Sequence, residues 1–300
     1  MNRLLLEKQA QIVNLLVEGM SMRAVSRVAD ISINTVTKLL EDVGAACGAY
    51  QDQTLRGLTC KRVQCDEIWA FCYSKEKNAL PENKGILGFG DVYTWTGMDV
   101  DTKLMVSYMV GKRDTDYPEA FMCDVASRLA NRVQLTTDGH KPYLKAVEGA
   151  FQGDVDYAIL NKIYGEAPKE DRRRYSLTEY KGFTKGVVSG NPPPDHISTC
   201  YVERQNLTIR MGMRRFTSLT NGFSKKVANL EHAVSLHFMH YNFCRIHKSL
   251  RVTPSMAAGV SDHVWSIEEL VLLIPAPVAK KRGPNRTKRV EPLVAEQISK

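Results

Sequence analysis

Three acidic side chains, Asp66, Asp138 and Glu203, have the type and surroundings to do chemistry. Asp66 sits within Val63-Gln-Cys-Asp-Glu-Ile-Trp-Ala-Phe-Cys-Tyr73, a run of strand formers, where a charge is costly unless it is paired or binds a metal. Asp138 closes the strand-like stretch Val133 to Thr137, and Gly139 after it leaves room for a close approach. Glu203 opens a helical stretch in Thr199-Cys-Tyr-Val-Glu-Arg-Gln-Asn206. The separations, 72 residues and then 65, have meaning only if a fold brings the three together. Carboxylates select hard divalent ions, so the expected metal is Mg2+ or Mn2+, with Asp66, Asp138 and Glu203 as ligands. Two such ions, about 4 Å apart, activate an attacking hydroxyl and steady the leaving oxygen of a phosphodiester. Other acids are less suited. Glu67 adjoins Asp66, and strand alternation puts only one of the two on a given face. Asp91, Asp99, Asp114 and Asp124 fall in turns or on helices, and Asp138 itself reads equally as a turn residue.

The elements around these acids have a definite order. Strands are expected at Val63–Tyr73, Gly90–Met98 and Lys103–Val110, forming a meander that turns at Asp101-Thr102. A helix from Asp114 or Thr115 to about Asn131 follows, then the strand Val133–Thr137, a helix opened by Pro142 and a fifth strand at Val155–Leu160. The order β-β-β-α-β-α-β followed by helices is that of a ribonuclease H-like mixed sheet, which sets its first and fourth strands side by side. The fold class expected is therefore α+β or α/β, an all-α N-terminal unit followed by this sheet. Residues 61–260 form the main domain, with an insertion at about 161–198, and 261–300 form a C-terminal segment.

Residues 1–43 read as a helix-turn-helix unit. Leu5, Ile12, Leu15 and Leu16 repeat at helical spacing up to Gly19. Ser21 and Ser32 can cap a second and a third helix. The third exposes Asn34, Thr35 and Lys38, short polar residues for base edges and a lysine for phosphate. The alternative is a small bundle that serves as a dimer interface. Residues 44–60 are a linker or a continuation of the third helix.

The composition, 43% hydrophobic and 25% charged, supports a substantial core and excludes a disordered chain. No stretch approaches the ~20 apolar residues of a membrane span, and the start lacks a secretory pattern. A soluble, cytoplasmic chain is expected. Seven cysteines without a C-x-x-C pair argue against a disulfide framework or a zinc ribbon. The net charge of +8 includes +5 from Lys280 onward, where Lys280–Arg289 reads as a disordered basic tail suited to a polyanion. Asp171-Arg-Arg-Arg174 lies in the insertion and either touches DNA or is solvated. His237, His240, Cys244 and His247 share one helical face, which fits either a zinc site or a helix packed on the sheet. His140 either positions water or DNA, or is a hydrogen-bonded turn residue.

The segments Cys65-Asp-Glu-Ile-Trp69, Thr137-Asp-Gly-His140 and Tyr201-Val-Glu-Arg-Gln-Asn206 resemble the three acidic motifs of DDE transposases, in particular the insertion-sequence-one family. Arg210, Met213-Arg-Arg-Phe-Thr217, Thr220-Asn-Gly-Phe-Ser-Lys225 and Tyr241–Leu250 with Thr253-Pro254 look like that family's C-terminal part, so the resemblance runs from about Asp66 to Val260. It implies metal-dependent DNA cleavage and strand transfer at insertion-sequence ends, with Asp66, Asp138 and Glu203 as catalytic metal ligands and Arg210 on DNA phosphate. DNA is then the partner, the protein a homo-oligomer on it near the nucleoid, with neither membrane nor small-molecule substrate. The chain departs from the family pattern in having no cysteine cluster ahead of its first helices. The other readings are a non-catalytic regulator or inhibitor derived from a transposase, and another ribonuclease H-like nuclease such as a resolvase.

Overall fold

The computed structural model describes residues 4–165, 179–217 and 221–276. Three helices come first: α1 (Leu6–Val17), α2 (Met22–Ala29) and α3 (Ile33–Thr54). Ser21 accepts a hydrogen bond from the Ala24 N–H at 3.2 Å and Ser32 from the Asn34 N–H at 3.3 Å, so both serines satisfy free amides at helix starts. Asp30, with φ at 52°, turns the chain between α2 and α3. Of the two alternatives for residues 44–60, helix is what forms, as far as Thr54.

The sheet begins with an antiparallel meander of β1 (Arg62–Cys72), β2 (Gly90–Asp99) and β3 (Met105–Gly111). Helix α4 (Asp116–Arg128) leads to β4 (Val133–Thr137), which runs parallel to β1. Helix α5 (Pro142–Phe151) leads to β5 (Val155–Gly165), parallel to β4. The strand order β3-β2-β1-β4-β5, with these directions, makes the domain ribonuclease H-like. Helices α6 (Cys200–Gly212), α7 (Val227–Met239), α8 (Pro254–Ala257) and α9 (Ile267–Leu272) complete it.

One part of the sheet differs from the sequence expectation. The segment at 161–198 is not simply an insertion or arm: β5 continues to Gly165, and β6 (Glu179–Ser189) returns antiparallel beside it as a sixth strand. Gly182, Gly186, Lys181 and Lys185 gave this stretch a loop-like composition, yet lysines suit an edge strand that must resist further pairing. Asp171–Arg174 and the tail Lys280–Arg289 lie outside the described residues.

The N-terminal helices do not stand apart from the sheet. One buried cluster joins Ile12, Val36 and Leu40 to Trp95, Phe121 and Leu135 and to Phe243 and Leu270. Four of the seven cysteines, Cys47, Cys60, Cys65 and Cys72, are buried, and all seven are free thiols. Among the described residues no helix is long and apolar enough to cross a membrane.

Helix α3 meets α7 backbone to backbone at Gly44. A Cβ there would lie 2.5 Å from the His232 carbonyl oxygen. Gly44→Ala must therefore push the two helices apart, and thermal unfolding should show a loss of about 1–3 kcal/mol. An unchanged melting temperature would mean that the two helices do not pack this closely.

Candidate active site

Strands β1 and β4 pair only from Arg62 to Gln64 and from Gln134 to Thr136. Beyond that register they part. Asp66 lies on β1 just past the last pair, and Asp138 directly follows β4. Both line a cavity of about 820 Å³ at this gap, together with Glu203, Arg113, His140 and Lys162. The fold thus brings the three acids expected from the sequence to one place.

Their carboxylates are not equally close. Oxygens of Asp66, Glu67 and Asp138 all lie within 4.8 Å of one another, and Glu203 stands outside that group. The expectation that alternation would remove Glu67 is corrected by this geometry. Asp138 is past the end of its strand, in the gap rather than on one face, so side chains from both faces of β1 reach it. Glu67 is held by an ion pair to Arg113 at 2.6 Å and by a hydrogen bond from the Tyr143 hydroxyl at 3.3 Å.

The placement of Glu203 follows from Gln64, a buried side chain on β1. Its carbonyl oxygen accepts from the first N–H groups of α6, Tyr201 at 3.0 Å and Val202 at 3.2 Å. A buried amide thus occupies a helix N-terminus and fixes α6 against the sheet. Glu203, in the first turn, is then held by the Thr199 hydroxyl and an ion pair to Lys162 on β5. One turn on, Asn206 donates to the Asp66 carboxylate at 2.8 Å, and its other atom accepts from Thr96 at 3.4 Å. Arg210, a further turn along, is exposed.

At the other strand, the Asp138 carboxylate accepts from the His140 N–H at 3.0 Å, which closes a tight turn. A Cβ on Gly139 would fall 1.7 Å from the Asn161 carboxamide oxygen, so any larger residue at 139 would displace the Asn161 side chain from this turn. The His140 ring contacts Trp95 and Tyr143, and burial holds its pKa below the usual value.

Electrostatics make the gap a place that wants a cation. Burial first, then Glu67, Asp138 and Glu203, pushes Asp66 up to about 7. Burial and Asp138 push Glu67 to about 7 against the pull of Arg113. Four acids with two direct cationic partners, Arg113 and Lys162, leave net negative charge among oxygen donors, a set that fits Mg2+ or Mn2+.

The other sequence candidates fall elsewhere. Asn34 and Lys38 are exposed and Thr35 half-buried at the start of α3, and Lys38 is paired with Asp42. His237, His240, Cys244 and His247 do not gather: among the described residues they form no group of three close ligand atoms. Helix α7 ends at Met239 and a wider turn, His240–Cys244, follows, which breaks the shared face. Sequence reasoning missed Gln64, which lies two residues before Asp66 but acts on the distant start of α6, and Arg113 and Lys162, which bear on the acids from other segments. It noted Asn206 only as lying between Glu203 and Arg210.

No protein-family model matches this sequence, and no curated protein matches it. Among solved structures, a cryo-EM piggyBac transposase synaptic complex with hairpin DNA is similar over 90% of this chain and 69% of that one, at 11% identity and a TM-score of 0.37. A pre-cleavage Mos1 transpososome covers 52% of this chain and 60% of that one, at 12% identity and 0.22. The Mos1 strand transfer complex covers 79% and 78%, at 10% identity and 0.25. Overlaps this loose decide neither fold nor activity; the fold rests on the strand order.

The raised carboxyls give a pH dependence of definite sign. Between about 4 and 7 the folded protein holds more protons than the unfolded chain, so in EDTA its stability falls as pH rises through that window. The loss is on the order of a few kcal/mol. Asp66→Asn should raise the melting temperature at pH 8 in EDTA. Adding Mn2+ at pH 8 should stabilise the wild type and leave Asp66→Asn nearly unmoved. Equal Mn2+ stabilisation of both would remove Asp66 from the ligand set.

Proposed function

We propose that the chain is a DNA transposase of the DDE type, a polynucleotidyl transferase that cuts and joins DNA at the ends of an insertion sequence. The observation that carries this reading is the meeting of Asp66, Asp138 and Glu203 in one cavity where β1 and β4 part. Asp66, Asp138 and Glu203 would hold Mg2+ or Mn2+, two ions in all, with Glu67 beside them. Bound there, the metal supplies an activated hydroxyl and a stabilised leaving oxygen for phosphodiester cleavage.

The chain's own residues position the reaction. Asn206 turns the Asp66 carboxylate by donating to one of its oxygens. Gln64 anchors α6, so that Glu203 is presented from a fixed helix start. Lys162 neutralises Glu203 in the free protein and can pass to a phosphate oxygen when DNA fills the cavity. Arg113 balances Glu67 and limits the repulsion that would otherwise drive the acids apart. Outside the cavity, Asn34 and Thr35 would read base edges, while Lys38 and Arg210 would hold phosphates. Two DNA ends must be held together for transfer, so a dimer or larger assembly on DNA belongs to this reading.

The Lys162–Glu203 pair also favours a second reading, a non-catalytic DNA-binding regulator derived from a transposase, in which the acids are structurally balanced. The two separate in one assay with DNA carrying the element's terminal repeats and Mg2+. Asp66→Ala, Asp138→Ala and Glu203→Ala should each take strand cleavage below detection, while DNA affinity changes by less than about tenfold. Full nicking by all three variants overturns the first reading. Tight specific binding by the wild type, with no metal-dependent cleavage of any DNA, establishes the second.

A further inference from the structure

A second cavity, of about 750 Å³, lies away from the acidic gap, between α1–α3 and the α6–α7 region. Its charge is one-sided. Arg23, Arg214, Arg215 and Lys225 line it, and no acidic side chain does among the described residues. Arg215 is the most telling of these. Its guanidinium donates to the Ser224 hydroxyl at 2.7 Å and to the Met22 sulfur at 3.3 Å, both neutral partners. Burial draws its pKa below the usual arginine value. A desolvated guanidinium without a carboxylate is costly, and the cost is removed when an anion binds.

Two further features border the same space. Helix α2 begins at the cavity wall, where Met22 and Arg23 precede the intrahelical ladder and offer backbone N–H groups with the positive end of the helix dipole. His237, only 9% exposed, also lines the cavity. Its Nε2 has no hydrogen-bond partner among the described residues. Burial pushes its pKa down to about 3, so it stands neutral and adds no charge to the wall, and its Nε2 is closed off from the cavity.

The rest of the wall is not built for a bare anion. Leu16, Met20 and Leu40 make an apolar side, and Asn229 adds a carboxamide, a donor and acceptor in one plane of the kind that pairs with an adenine edge. The volume falls in the range of small-molecule sites, about 300–1,000 Å³. We propose that this cavity binds a phosphorylated nucleoside, its phosphate on the arginines and its base against the apolar wall. The source is either a free mononucleotide or one nucleotide of a DNA strand. The proposal stands apart from the metal-site reading, since none of its residues belongs to the acidic gap.

The test is calorimetric titration at low salt in EDTA, with dAMP, inorganic phosphate and a short 5′-phosphorylated single-stranded oligonucleotide as probes. The variants are Arg215→Gln, His237→Phe and the double change Arg23→Gln/Arg214→Gln. The last alters exposed side chains and keeps the test open should the buried variants fail to fold. The wild type should bind dAMP or the oligonucleotide at one saturable site, at least tenfold tighter than inorganic phosphate, and the double variant should lose at least tenfold. Asp66→Asn should bind like the wild type, which separates this site from the catalytic one. Binding of dAMP that competes with the oligonucleotide identifies a free-nucleotide site; binding of the oligonucleotide alone identifies a seat for a strand. No binding of either, affinity indifferent to the arginines, or phosphate binding as tight as the tighter of dAMP and the oligonucleotide overturns the proposal.

Discussion

Mutual repulsion among carboxylates at the place where β1 and β4 part is the constraint around which this structure is arranged. Asp66, Glu67 and Asp138 crowd within 4.8 Å, and burial of Asp66 and Glu67 thins the water that would screen those two. Such a cluster persists only if the chain invests elsewhere to hold it. Arg113 and Tyr143 engage Glu67, Asn206 engages Asp66, and the His140 amide engages Asp138. The His140 amide is local to the Asp138 turn, but Arg113, Tyr143 and Asn206 come from three different segments. The sheet and these segments must therefore be in place before the acids can be close, and local sequence cannot produce the cluster alone.

That distribution explains what was legible in the sequence. Strand β4 was readable to the residue, because a five-residue stretch with Val133, Thr136 and Thr137 is bounded by Asn-Arg and Asp-Gly. Asp66 and Asp138 were readable because each breaks a local pattern, a charge inside an apolar run and an acid before glycine. Glu67 was not, since the alternation argument assumes that the neighbouring strand continues, and β4 stops at Thr137. Lys162 was hidden in a stretch whose polarity suggested a loop, although it continues β5 beyond the predicted end. The two readings of His237, His240, Cys244 and His247 separate for a related reason. Periodicity describes a helix face only while the helix lasts, and it gives way to a wider turn at His240.

The length of α3 is the other feature that the sequence left open, and it changes how the molecule works as a unit. Twenty-two residues at 1.5 Å each make a rod of about 33 Å. Its far end is tied to the body repeatedly. Gln51 donates to the Tyr108 hydroxyl at 2.9 Å and to the Ser235 carbonyl at 3.1 Å. Arg128 on α4 reaches the Leu55 carbonyl at 3.3 Å and the Asp52 carboxylate at 2.8 Å. The Leu58 N–H donates to the Arg128 carbonyl at 2.8 Å, and the Leu58 carbonyl accepts from the Ala130 N–H at 2.9 Å.

On the proposed reading, these ties matter to catalysis. A recognition helix on a flexible linker lets the reading of bases and the cutting of phosphates vary independently, and the entropy of the linker opposes every productive alignment. Here the helix that presents Asn34 and Thr35 is continuous with the segment clamped against β3 and α4. A DNA duplex held at the start of α3 would then meet the acidic gap at a fixed offset. The cost of alignment is met during folding, through the shared core that joins Val36 and Leu40 to Trp95 and Phe121. The same coupling would restrict the DNA geometries that such an enzyme could serve, because a rigid rod cannot adapt to a different distance between the bases read and the phosphate cut. Specificity for one spacing would then be a consequence of helix α3, whatever the bases themselves contributed.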